Sequence, residues 1–247
     1  MKSLLKRTKA LICALAFSAL AAVPAMASTD EDIIRTADRA RGGGIGGVEW
    51  EVTATTKFAD GKEESRKLVI TAKQTDWAAE FISPNKIRGQ RLVKRGNNMW
   101  FAKPDLRKPV PISQRQRLTG NASNGDIAST NYLRDYEITR LPDETLDGVP
   151  TYVFDLKAKD SSVTYDKIKY WISEETGLGI AAEFFSNAGR LLKTARFEYA
   201  NTIAVDGEQH PFVSTMVIHD AINAEDVTTL SYADPRVRAV PNSILQP

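Results

Sequence analysis

Residues 39–58 read RARGGGIGGVEWEVTATTKF, and the order of two patterns within them decides the fold. Gly42, Gly44 and Gly47 stand at the G-x-G-x-x-G spacing that cradles a dinucleotide pyrophosphate. That use requires a strand before the glycines and a helix after them, so that the helix N-terminus faces the phosphate. Here the order is reversed. Upstream, Thr29 or Asp30 is placed to cap a short helix, Glu31 and Asp32 suit its first turn, and Ile33, Ile34, Ala37 and Ala40 or Arg41 recur at helical spacing. Downstream, Val48, Trp50, Val52, Ala54 and Phe58 alternate with Glu49, Glu51, Thr53, Thr55 and Lys57, the period-two signature of a half-buried strand. Val48 follows Gly47 where a P-loop needs lysine, so that phosphate cradle fails as well. The glycines therefore read as a flexible joint that lets an N-terminal helix fold back over a sheet.

Working outward from that strand, the same theme repeats. Strand-like runs occupy residues 63–73, 76–83, 86–94, 98–103, 130–140, 150–159, 164–173, 178–186, 190–200, 210–221 and 225–233. Turn signals such as Asp60-Gly61, Gly96-Asn97-Asn98, Asp147-Gly148 and Asp206-Gly207 separate many of them, and short connections join antiparallel neighbours. A meander of this size curls into a barrel or an incomplete barrel. Residues 104–129, with Pro104, Pro109, Pro111 and Asn124-Gly125, look too polar for core and are expected to form an extended loop with a short helix. A curved sheet has one concave face, and a short helix fills it only in part, so a cavity that takes an apolar ligand is expected.

Before the helix, Lys2, Lys6, Arg7 and Lys9 precede an apolar run from Ala10 to Val23, and Ala25-Met26-Ala27 has the form of a signal peptidase site. We expect export to the periplasm with cleavage after Ala27. The alternative, a membrane anchor, needs about 20 apolar residues, and this run is shorter and ends at Pro24. Cleavage would discard Cys13, the one cysteine, and leave 220 residues as one domain, 28–247, whose core must hold without disulfides. It would also leave 29 basic against 31 acidic side chains. Ten of the basic residues lie between Lys86 and Arg117 with only Asp105 to oppose them, an asymmetry that suits an acidic partner or an anionic lipid surface, or a solvated edge. Nucleic acid does not suit an exported protein.

Catalytic patterns are weak. His210 and His219 match no compact metal motif, and without cysteine only carboxylates remain to complete a site. No serine sits in a G-x-S-x-G elbow. No cofactor, metal site or catalytic residue is expected.

The stretch FISPNKIRGQRLVKRGNNMWFAKPDLRKPVPISQRQRLTGNASNGDI, residues 81–127, carries a resemblance. A strand ending in Pro84, a basic strand with Arg91 to Lys94, the run Asn98-Met99-Trp100-Phe101-Ala102-Lys103-Pro104, a basic Asp105-Leu106-Arg107-Lys108, Ile112-Ser113-Gln114-Arg115-Gln116-Arg117 and Gly125-Asp126 follow one another. In this the chain resembles the LolA-like proteins, in the group of outer-membrane lipoprotein-sorting proteins. The resemblance implies a mainly β (α+β) fold: an unclosed antiparallel barrel of about eleven strands, its concave face covered by helices. It further implies a monomeric periplasmic carrier of lipoprotein or lipid acyl chains, working with an inner-membrane transporter or a resistance-nodulation-division (RND-type) exporter. The better-known carriers tie the helical lid shut through an arginine on the first strand, and this chain has no arginine between Val48 and Phe58. On this reading the cavity wall falls to Trp50, Val52, Leu68, Ile70, Trp77, Phe81, Trp100, Phe154, Trp171 and Phe197, and the rim or partner surface to Arg91, Lys94, Arg107 and Lys108. A non-catalytic scaffold that grips a membrane complex through residues 86–117 is the alternative.

Overall fold

A computed structural model describes residues 28–128 and 131–247. The expected signal segment, 1–27, lies outside the described residues. In chain order the elements are α1 (Asp30–Arg39), β1 (Val48–Lys57), β2 (Glu63–Lys73), β3 (Asp76–Ser83), β4 (Arg91–Arg95), β5 (Asn98–Ala102), β6 (Val110–Ile112), β7 (Arg117–Thr119) and β8 (Ala122–Ser123). There follow α2 (Tyr132–Asp135), β9 (Tyr136–Leu146), β10 (Val149–Ala158), β11 (Lys167–Ser173), β12 (Gly179–Phe185) and β13 (Leu191–Glu198). The last are β14 (Asn201–Val205), β15 (Glu208–Phe212), β16 (Thr215–Asp220) and β17 (Val227–Val237).

Helix, glycines and strand come in the expected order. Thr29 caps α1, its hydroxyl accepting from the amide of Asp32 at 3.2 Å, and three acidic residues occupy the first turn. Gly42 (φ +86°) and Gly44 (φ +71°) take the left-handed conformations that turn the chain from helix to strand. Ile45 is buried within this joint, and the carbonyl of Ala40 accepts from the amide of Val213 at 2.9 Å.

One antiparallel sheet of thirteen strands runs in the order β6-β5-β4-β3-β2-β1-β17-β16-β13-β12-β11-β10-β9. It is open, with β6 and β9 as its edges. The expected count was about eleven. Among the differences, β6 was hidden in the proline-rich interval, and β14 with β15 forms a separate hairpin around Asp206-Gly207. Where one strand was expected over 86–94 there is a 3-10 turn at Asn85–Ile87 and then the shorter β4, and α2 (Tyr132–Asp135) precedes β9, which starts at Tyr136.

The strand order explains the interval 104–129. The chain builds outward from central β1 to the edge β6 and must next start β9 at the opposite edge. The crossover lies over the face that α1 covers. Leu118, Ala122, Ile127 and Ala128 are buried in the main core, and Gln114, Thr119, Ser123, Asn124 and Asp126 are buried with them. The expectation of an extended loop too polar for core is thus corrected: buried polar groups need partners, and all of these side chains but the Thr119 hydroxyl find one. Lys193 from β13 donates to Asn121 O at 2.6 Å, Ser123 Oγ at 3.0 Å and Asp126 Oδ2 at 3.1 Å, while Tyr165 donates to Asp126 Oδ1 at 2.6 Å.

The main core lies between the sheet's inner face and this cover. Two smaller clusters lie on the outer face: Ala78 and Val93 under the C-terminal Val240 and Leu245, and Val153 with Trp171 and Ala181.

Candidate functional site

The inner face is closed from two sides. Ile33, Ile34 and Ala37 of α1 enter the main core, each large apolar side chain contributing about 1.5–3 kcal/mol by leaving water. Asp38 and Arg41 go in with them, 5% exposed each. Asp38 Oδ2 accepts from the amide of Leu133 at 3.0 Å, and the Arg41 guanidinium donates to the Tyr132 hydroxyl at 3.3 Å and lies 4.4 Å from the Phe197 ring centre. α1 and α2 are thereby joined over the sheet. Burial pushes the Asp38 carboxyl up to about 6, although the Leu133 and Tyr132 amides and the charge on Arg41 pull it down. Burial likewise raises the Tyr132 phenol, which stays neutral and donates or accepts as a hydroxyl.

At the β6 end the cover leaves a gap. A groove of about 660 Å³ runs between β2–β6 and the β7–β8 hairpin, within the ~300–1,000 Å³ typical of ligand pockets. Its floor is Phe81, Leu92, Phe101, Ile112 and Leu118. Phe81, Leu92 and Leu118 belong to the main core, and Phe101 and Ile112 pack against it, so the core opens to solvent here. The rim is polar, with Glu63, Glu64, Arg66, Lys86 and Arg117. Arg66 donates to the carbonyl of Leu118 and so pins the hairpin wall to β2. Gly120 at the hairpin tip has φ +45°, and a side chain there would run into the hydroxyls of Thr56 and Thr228.

Of the residues expected on the cavity wall, Trp50, Val52, Leu68, Ile70, Trp77, Phe81, Phe154 and Phe197 stand in the main core, and Phe81 reaches the groove. Two stand elsewhere. Trp100 pairs with Val93 of the outer cluster, because β5 meets β4 with Phe101 opposite Leu92. Trp171 is outward as well, donating from Nε1 to Glu144 Oε2 at 2.8 Å under the ammonium of Lys169. The four basic positions also divide. Arg107 and Lys108 are exposed on the β5–β6 connection. Arg91 is engaged by the carbonyls of Ile244 and Gln246 on the outer face. Lys94 is buried and donates to Thr75 O at 3.1 Å, burial holding its ammonium below the usual range. Arg91 and Lys94 therefore do not form a free rim.

Asp38, Arg41, Asp126, Lys193 and most of the groove floor were not anticipated as site residues. Helical spacing places Asp38 beside Ala37 and four residues after Ile34, a signal that a charge was entering the apolar face. Among the described residues no group of three or more His, Cys, Asp or Glu stands close enough to hold a metal ion, and no helix is long and apolar enough to cross a membrane.

Comparison with known proteins bears on this arrangement. A family model whose description reads "-like: Uncharacterized protein" matches residues 73–247. No curated protein matches the chain. Among solved structures, a LolA superfamily protein of Nitrosomonas europaea is 31% identical, covers 90% of this chain and 99% of its own, and superposes with a TM-score of 0.80. A domain assigned as an outer membrane lipoprotein-sorting protein in Vibrio parahaemolyticus shares the fold at 19% identity and a TM-score of 0.71, over 87% of this chain and 95% of its own.

Proposed function

The chain belongs to the LolA superfamily, and on that premise we propose that it is a non-catalytic periplasmic carrier for the acyl chains of a lipoprotein or lipid. The observation that carries this reading is the groove at the β6 end, whose apolar floor is continuous with the main core. An acyl chain in water costs about 0.8 kcal/mol per CH₂, so a carrier has to hide it in an apolar space and still release it. The groove offers the first part of such a space. The core beneath α1 and the crossover offers the rest when the cover lifts, with Trp50, Val52, Leu68, Ile70, Trp77, Phe154 and Phe197 as wall.

In this reading residues 1–27 direct export and are removed, and residues 28–247 are the working domain. The carrier is a monomer that shuttles its cargo between inner and outer membranes. Its donor or acceptor is an inner-membrane transporter or an RND-type exporter, met through the exposed Arg107 and Lys108.

Titration with a fluorescent fatty acyl probe tests the proposal. Wild-type protein should bind it saturably, and Phe101→Asp, which places a charge on the groove floor, should weaken binding by roughly tenfold or more. Absence of binding, or equal binding by the variant, would overturn it. Should wild-type protein bind no acyl probe yet capture a membrane complex in an Arg107- and Lys108-dependent way, the scaffold reading replaces the carrier.

A further inference from the structure

The β7–β8 hairpin has a second side. Behind it, facing away from the acyl groove, lies a pocket of about 250 Å³ bounded by Arg115, Arg117, Arg190 and Lys193, with Asp220 as the one carboxylate among its lining residues. Arg117 lines both spaces.

The four cations are not equivalent. Arg115 is fixed by a two-pronged contact to Asp166 at 3.0 and 2.6 Å and donates from Nε to Val163 O at 3.0 Å. Lys193 is fixed by Asp126, Ser123 and Asn121. Arg117 and Arg190 are exposed, and among the described residues neither has a carboxylate oxygen within 4.0 Å. Asp220 offsets part of their charge, and its Oδ1 is held in place by accepting from the amides of Ile222 at 2.8 Å and Asn223 at 3.1 Å. Burial works to raise the Asp220 carboxyl, yet those amides and the positive charges of Arg117 and Lys193 outweigh it and hold it below the usual range. With Arg115 paired to Asp166 and Lys193 to Asp126, Arg117 and Arg190 outnumber the one lining carboxylate, and the pocket keeps a net positive charge.

Guanidinium forks match the oxygens of phosphate two at a time, and a small space walled by fixed cations suits a compact anion better than a whole apolar ligand. We infer that this pocket binds an anion of the phosphate class, gripped by Arg117 and Arg190 against the wall that Arg115 and Lys193 hold in place. The anion is either the headgroup of a phospholipid whose chain turns around the hairpin into the groove, or a free phosphate. The pocket's chemistry does not depend on the carrier reading.

Calorimetric titration at low salt with inorganic phosphate, and separately with a short-chain phosphatidic acid, reads the site in wild-type protein and in Arg117→Gln, Arg190→Gln and the double variant. Both residues are exposed, so the variants should fold, and thermal unfolding checks that they do. At least one probe should bind saturably and lose roughly tenfold or more in affinity with each arginine removed. Binding of inorganic phosphate that displaces the lipid identifies a free anion. Binding of phosphatidic acid alone, lost in the double variant, identifies a headgroup. No binding of either probe, or binding untouched by the double variant, overturns the site. An uncharged fatty acyl probe keeps the two ideas apart, since its failure to bind wild-type protein counts against the carrier and leaves this site standing.

Discussion

Asp38 and Arg41 bring two charges into the core where α1 meets α2, and each gives a prediction. With its carboxyl pushed up to about 6, folded Asp38 keeps a proton that the unfolded chain releases near its ordinary value of 3.8. Its contribution is therefore full below about pH 4 and is lost as pH rises through about 6, a change of about 3 kcal/mol. Asp38→Asn removes that titration. In urea unfolding, the stability of wild type relative to the variant should fall by this amount from pH 4 to 7; a difference independent of pH would contradict the burial of the carboxyl. Arg41→Ala removes the hydrogen bond to Tyr132, the contact with the Phe197 ring and a positive charge that pulls the Asp38 carboxyl down, and should cost about 1.5–3 kcal/mol at pH 7. The paired change Asp38→Asn with Arg41→Met should regain much of that loss, and strict additivity of the two single effects would show that the groups do not interact. Spacing along the helix pointed to Ala40 or Arg41 as the end of the apolar stripe, but a charge near such a stripe is usually solvated. What buries this pair is the arrival of Tyr132 and Leu133 from far along the chain, which no local pattern records.

Among the elements, the β7–β8 hairpin decides how open the groove is. Gly120→Ala would push a methyl group into the paired hydroxyls of Thr56 and Thr228 at a positive φ, and should cost about 1–3 kcal/mol while speeding acyl probe exchange as the wall lifts. Gly46→Ala, where an added Cβ meets nothing within 4 Å, should stay within about 0.5 kcal/mol of wild type in the same thermal and exchange measurements. Equal effects of the two would show that the hairpin contact does not govern access. The strands themselves were largely readable, since β1, β2, β3 and β10 follow their alternation or apolar runs closely. Facing was harder. Met99-Trp100-Phe101 and Tyr170-Trp171-Ile172 are apolar at every position, so alternation cannot tell inside from outside. Pairing with β4 and β10 settles it, and sends Trp100 and Trp171 outward.

At the scale of the whole molecule, the sheet grows outward from β1 to one edge, crosses its own inner face, and returns from the other edge to β17 beside β1. A meander drawn from the sequence has no such crossover, because sequence order alone cannot show that β6 and β9 lie at opposite edges. That one connection turns a proline-rich, polar-looking interval into part of the cover. It also distributes the basic segment: Arg91 to the C-terminal tail, Lys94 to the interior, Arg115 to Asp166, with Arg107 and Lys108 exposed on the β5–β6 connection. Reversing the charge of Arg107 and Lys108 together should leave acyl probe affinity within about twofold, as exposed groups outside the groove, while weakening capture of a membrane partner. A large loss of acyl affinity in that variant would place these residues at the cargo instead. The most direct measurement is native mass spectrometry of the protein taken from periplasm without detergent, followed by organic extraction of whatever it carries. The carrier account predicts discrete mass adducts that extract as acylated molecules, whereas a clean unliganded mass, unchanged after incubation with lipids and lipopeptides, would contradict it.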